Sequence, residues 1–112
     1  MDAFNSLTEL RDALREFACA RDWQRFHSPK NISMALIVEA AELVEHFQWA
    51  TEEESRNLPA NKLAEVRDEV ADTLIYLVEL ADVLNIDLLA AAREKMHKNS
   101  VKYPPPAGSS RN

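Results

Sequence analysis

A chain of 112 residues with a single glycine, Gly108, has few places where its backbone can bend freely. Its five prolines fall at Pro29, Pro59 and Pro104 to Pro106, outside every segment in which apolar residues recur at helical spacing. Breakers this sparse and this peripheral favour long helices, so the chain is read as all-α. At this length it is one domain, taken as residues 1–103 with a disordered tail over 104–112, where PPPAGSSRN offers nothing to pack. A single short domain buries only a moderate share of its surface, and association with a second copy is expected.

Ser6 and Glu9 form a capping-box pattern just ahead of Leu7, Leu10, Leu14 and Phe17, which predicts a first helix from Ser6 to near Asp22. The stretch DWQRFHSPKN, Asp22 to Asn31, reads as an aromatic-rich loop, because Pro29 disfavours helical geometry in the residue before it. A second helix is expected from about Ile32 to Trp49, apolar on nearly every side and so buried by several neighbours. Thr51 with Glu54 suggests a short capped turn, and Asn57 to Pro59 a connector. The third helix is placed at Asn61 to Leu84, with Leu63, Val66, Val70, Leu74, Leu77, Val78 and Ala81 as its core stripe. Asn85 stops it, and Asp87 caps a fourth helix from Leu88 to about Ser100. The expected subunit is a four-helix bundle.

A net charge of −6 argues against a general nucleic-acid binder, which needs a basic patch, although an anionic substrate can bind through a metal. Cys19, the one cysteine, cannot form an intrachain disulfide and fits a reducing compartment; its place in a helix interior reads as a small core residue rather than a nucleophile. The N-terminus lacks the pattern of a signal peptide, and no apolar run is long enough to span a bilayer. A soluble, cytoplasmic protein is the expectation.

Glu39 with Glu42, and Glu69 with Asp72, stand three apart on their helices, so each pair projects from one face. Packed antiparallel, the two helices bring both pairs into one cluster of hard oxygen ligands, which suits Mg²⁺. Other acids recur at the same spacing, among them Glu79 with Asp82, and most of these read as solvated faces. The apolar flanks of Glu39/Glu42 and Glu69/Asp72 set them apart, since carboxylates are rarely buried without a partner. The competing reading is edge-of-core acids paired with Arg or Lys. A di-iron bundle would need two Glu-x-x-His pairs, and only Glu94 to His97 supplies one.

EAAE at Glu39 to Glu42 followed by EVAD at Glu69 to Asp72 resembles the metal motif of the MazG-like all-α nucleoside triphosphate pyrophosphohydrolases. RDWQRFHSPKN (Arg21 to Asn31), ELVEHFQW (Glu42 to Trp49), DTLIYLVEL (Asp72 to Leu80) and KMHKNSVKYP (Lys95 to Pro104) are similar to its dCTP pyrophosphatase branch. The resemblance implies Mg²⁺-dependent cleavage between α- and β-phosphates, giving a monophosphate and pyrophosphate. It implies Glu39, Glu42, Glu69 and Asp72 as metal ligands, with Glu42 or Glu39 acting on the attacking water. Trp23, Trp49 and Tyr76 match positions lining the base and sugar pocket, and His27 lies in the shared Phe-His loop. Lys95 and Asn99 match positions touching the nucleotide, with Lys102 at the same end. The branch implies a preference for dCTP or a modified dCTP, but Leu14 departs from it, since vertebrate-type members carry a histidine there, so a strict demand for cytosine or for 5-modified dCTP is not implied. A homo-oligomer is implied too, a tetramer built as a dimer of dimers. The alternatives are a broader hydrolase of other dNTPs or NTPs and a catalytically silent helical interaction module.

Overall fold

The computed structural model describes residues 4–107. Five α-helices follow one another, α1 (Leu7–Ala20), α2 (Pro29–Glu45), α3 (Glu52–Arg56), α4 (Ala60–Val83) and α5 (Leu88–Lys102), with one 3₁₀ turn at Gln24–Phe26, and there is no strand among the described residues. The fold is all-α.

The ends are set by local chemistry. Ser6 Oγ accepts from the Glu9 amide at 3.0 Å, while Thr51 and Glu54 close both halves of a capping box at 3.1 and 2.8 Å. α1 stops at Ala20, two residues before Asp22, which takes a left-handed φ of 55° and lets the Trp23 amide reach back to the Ala18 carbonyl at 2.9 Å. Asn85, at φ 56°, ends α4 the same way, with the Ile86 amide bonded to the Ala81 carbonyl at 2.8 Å. Asp87 Oδ1 then caps α5 through the Ala90 amide at 3.0 Å, and α5 runs to Lys102, two residues past the expected end.

α2 differs from expectation at both ends. It opens at Pro29 rather than Ile32, because Ser28 Oγ accepts from the Asn31 amide at 3.1 Å and proline's fixed φ and missing N–H suit the first turn. It closes at Glu45 rather than Trp49. There the amides of His46 and Phe47 turn to carbonyls three residues back, at 3.2 and 2.9 Å, and the chain continues as turns.

α2 packs along α4, and α1 lies against α4. His46, just past the end of α2, stands 3.8 Å from Glu65 near the start of α4, while Glu39 meets Glu69 and Asp72 further along, so the two helices run antiparallel. Leu10 and Ala18 of α1, Ile32 of α2, and Val66, Val78 and Ala81 of α4 form the buried core. Arg15 clamps α1 to α4 by two hydrogen bonds to Asp82, Nε donating to Oδ2 at 2.8 Å.

The expected core stripe is only partly interior. Leu63, Val70, Leu74 and Leu77 are exposed, as are Met34, Ile37, Val38 and Val44 on α2, with Ile37 65% accessible. The reason is geometric: α1 covers one flank of the α2–α4 pair, and α5 has no buried residue of its own. The molecule is accordingly elongated, 55 × 36 × 29 Å. Cys19 is exposed rather than part of the core, one residue from buried Ala18 and so about 100° around the helix. Pro104 to Ala107 are exposed and non-helical, and residues 108–112 of the expected tail lie outside the described residues.

Candidate metal centre and adjoining cavity

The antiparallel pairing sets the middle of α2 beside the middle of α4. One carboxylate oxygen from each of Glu39, Glu69 and Asp72 lies within 4.8 Å of the others. Glu39 and Glu69 are half-buried and Asp72 is exposed, so the cluster opens to one side. Oε2 of both Glu39 and Glu69 is buried without a hydrogen-bond partner. Glu42 is not part of the convergent trio; it sits against it, adding negative charge to Glu39 and Glu69.

The electrostatic consequence is large. Burial, then the Glu42 charge and the proximity of Glu69 and Asp72, push the Glu39 carboxyl up to about 7. Glu69 is pushed up as well, by burial first and then by Glu42. The Tyr76 phenol moves up through burial and the nearby charges of Glu39, Glu79 and Asp72. Among the described residues the ion pairs engage Asp12, Asp22, Glu52, Glu65 and Asp82, and none reaches Glu39, Glu42, Glu69 or Asp72. The reading of these acids as partners of Arg or Lys therefore fails. A divalent cation fits the donor set: hard oxygens only, two of them buried and unpaired, with the exposed side left for water and substrate.

Beside the trio opens a cavity of about 370 Å³, and Glu39 and Asp72 form part of its wall. Phe17, Trp23 and Tyr76 supply aromatic faces, and Leu14, His27 and Glu79 also line the wall. Phe17 and Trp23 meet edge to face, with ring centres 5.6 Å apart at 66°. The Arg21 guanidinium stacks on the other ring of this pair, 3.5 Å from the Phe17 centre, and donates to the Phe17 carbonyl at 3.1 Å. The loop carrying His27 is held by Asn31 Nδ2 donating to the Phe26 carbonyl at 2.9 Å and by the His27 amide donating to the Gln24 carbonyl at 3.0 Å.

Of the residues singled out in the sequence, Trp23, His27 and Tyr76 thus gather around one cavity with Glu39 and Asp72. Trp49 does not join them: it is 89% exposed and lines a separate depression with His46, Glu54 and Lys62. Lys95, Asn99 and Lys102 lie exposed along α5, and none lines the cavity of its own chain. Phe17 was legible only as core, and Glu79 only as half of a solvated acid pair. Glu79 is instead half-buried, with Oε2 buried and unpaired, while Asp82 is taken up by Arg15. The usable signal was the i, i+4, i+7 spacing of Asp72, Tyr76 and Glu79, which sets all three on one face of α4.

Fold and site together define an all-α bundle whose central helix pair carries a carboxylate cluster with a donor set that fits a divalent metal, open to an aromatic cavity. The chain belongs to the MazG-like family, which it matches over residues 34–112. It is 41% identical to dCTP pyrophosphatase 1 of Mus musculus over 101 residues, covering 88% of this chain and 59% of that protein. The Homo sapiens protein of the same name gives the same identity and coverage, 41%, 88% and 59%. The chain therefore spans about three-fifths of the length of these relatives, at 59%. The crystal structure of a pyrophosphatase from Archaeoglobus fulgidus is similar throughout: 40% identity, a TM-score of 0.84, and coverage of 94% of this chain and 98% of that one. No helix among the described residues is long and apolar enough to cross a membrane.

Proposed function

We propose that this chain is a Mg²⁺-dependent nucleoside triphosphate pyrophosphohydrolase of the nucleotide pool that favours dCTP, releasing the monophosphate and pyrophosphate. The observation carrying this reading is the carboxylate trio, with oxygens within 4.8 Å, opening directly into an aromatic cavity of about 370 Å³. Relatives named dCTP pyrophosphatase 1 at 41% identity support the reaction and the base. Glu39, Glu69 and Asp72 hold the metal, which supplies positive charge against the phosphate oxygens. Glu42, adjacent to the trio but outside it, is the carboxylate left to orient the attacking water and accept its proton. Trp23 and Tyr76 offer faces for the base, and His27 lines the same pocket.

Lys95, Asn99, Lys102 and Trp49 are exposed and do not line the cavity of their own chain, so a role for them at substrate requires a second copy. The uncovered apolar residues Ile37, Val70 and Leu74, together with an α5 that buries nothing, support a homo-oligomer, a dimer of dimers, acting in the cytoplasm without nucleic-acid or membrane partners. Broader specificity has one observation in its favour, the apolar Leu14 in the cavity wall.

The test is an assay of purified protein with Mg²⁺ against the common dNTPs and NTPs, with pyrophosphate resolved from orthophosphate. Pyrophosphate released fastest from dCTP supports the full reading, and the same product from another nucleotide keeps the reaction and moves the substrate. Absence of turnover with Mg²⁺ or Mn²⁺ would favour a silent helical interaction module.

A further inference from the structure

Glu79 is the carboxylate of the cavity that the metal centre does not use. It lines the wall with Phe17, Trp23 and His27, two helical turns beyond Asp72 on the same face of α4. Its Oε2 is buried and has no hydrogen-bond partner among the described residues, although Asp82, three residues on, is saturated by Arg15. A carboxylate oxygen withdrawn from water pays its desolvation unless a donor reaches it, so this oxygen is poised for a donor that enters with a ligand. The spacing identifies the part of the ligand. Seven residues of α-helix advance about 10 Å, comparable to the reach of a nucleotide from its α-phosphate to the far edge of its base. With phosphates at Asp72 and the ring against the aromatic wall that Trp23 and Tyr76 share, that edge would fall at Glu79.

We infer that Glu79 is the residue that reads the base, accepting a hydrogen bond from the exocyclic amine of cytosine and turning away the carbonyl that uracil and thymine present at the same place. The inference rests on the proposed nucleotide hydrolysis and adds its specificity element. A carboxylate is an acceptor that pairs with the cytosine N4 amine, whereas against the O4 of uracil two sets of lone pairs confront each other. Rejection by an unpaired buried group is the device that discriminates most strongly between ligands of equal shape. Burial pushes the Glu79 carboxyl up, against a smaller opposing pull from His27.

The experiment measures kcat/KM of the full chain with Mg²⁺ for dCTP, dUTP and the 2-pyrimidinone deoxynucleoside triphosphate, which keeps the ring of cytosine and lacks its amine. Wild type is expected to favour dCTP over both by about tenfold or more, the usual worth of a hydrogen bond to a charged group. Glu79→Gln, whose amide can turn to donate to O4, is expected to lower the dCTP to dUTP ratio about tenfold. Glu79→Ala should erase the advantage of dCTP over the pyrimidinone. A Glu79→Gln ratio within about twofold of wild type, or a wild type that accepts dUTP or the pyrimidinone as readily as dCTP, overturns the inference while the hydrolase reading stands. A wild type that hydrolyses no nucleotide removes both. Should the variants lose their helical circular dichroism, the wild-type comparison of dCTP with the pyrimidinone decides alone: a clear loss supports Glu79 as reader, and parity refutes it.

Discussion

Lowering the pH should loosen a divalent cation from the carboxylate trio, along a curve that the site itself specifies. Glu39 holds its proton up to about pH 7, because burial and the Glu42 charge disfavour its ionised form. Proton and metal compete for the same oxygens, so with one competing proton the apparent Kd should be raised about twofold at pH 7, about tenfold at pH 6 and about a hundredfold at pH 5. The upward shift of Glu69 steepens the curve in the same direction. Stability of the metal-free protein carries the opposite sign. Since the folded-state value lies above the ordinary 4.5, protonated Glu39 contributes stability that is complete below about pH 4.5 and is lost as the pH rises through about 7. The metal-free Tm should therefore fall across that window while the gain in Tm from Mg²⁺ grows. Calorimetric titration with Mn²⁺ and thermal melts with and without Mg²⁺, from pH 5.5 to 8.5, measure both trends, and Glu39→Gln isolates the part that belongs to this side chain. A cation affinity that is flat over the range, or the same slope in wild type and Glu39→Gln, would refute the reasoning.

Three further outcomes are expected. Asp72→Ala should keep the helical circular dichroism but lose both pyrophosphate release and the Mg²⁺-induced rise in Tm, since the side chain is exposed and contributes an oxygen to the trio. Ile32→Ala, at a position only 2% accessible, should cost about 2–5 kcal/mol in urea unfolding through lost burial and the cavity left behind. Trp23→Ala should raise KM for the nucleotide by about tenfold, the order of one lost stacking face, with a smaller change in kcat; an unchanged KM would take Trp23 out of the pocket.

The helices were readable because their caps are local. Ser6, Thr51, Asn85 and Asp87 act within four residues of themselves, and each does in the structure what its residue type allows. Pro29 misled because proline has two meanings near a helix: it bars helical geometry in the residue before it and suits the first turn after it, and Ser28 decides for the second by capping. Burial was the harder inference. Period 3.6 marks Leu63, Val70, Leu74 and Leu77 as one apolar stripe, but which part of a stripe is covered depends on how many helices pack there, and periodicity carries no such count.

The site divides along the same line. Glu39, Glu69 and Asp72 were legible because acids set in apolar flanks need a partner, and antiparallel packing of their two helices brings them together. Glu79 was not, since its spacing to Asp82 is that of any solvated pair, and only the third dimension separates the two: Arg15 of α1 takes Asp82, while the cavity takes Glu79. Trp49, Lys95, Asn99 and Lys102 mark the reverse case, residues legible by resemblance that their own chain leaves in solvent. α5 has no buried residue, and Leu89, Met96 and Val101 stand exposed along its length, the pattern expected of a helix that packs on a second copy in the proposed oligomer. In the proposed homo-oligomer the cavity of one protomer and α5 of another would form one functional unit, so residues legible together in the sequence would meet only between copies.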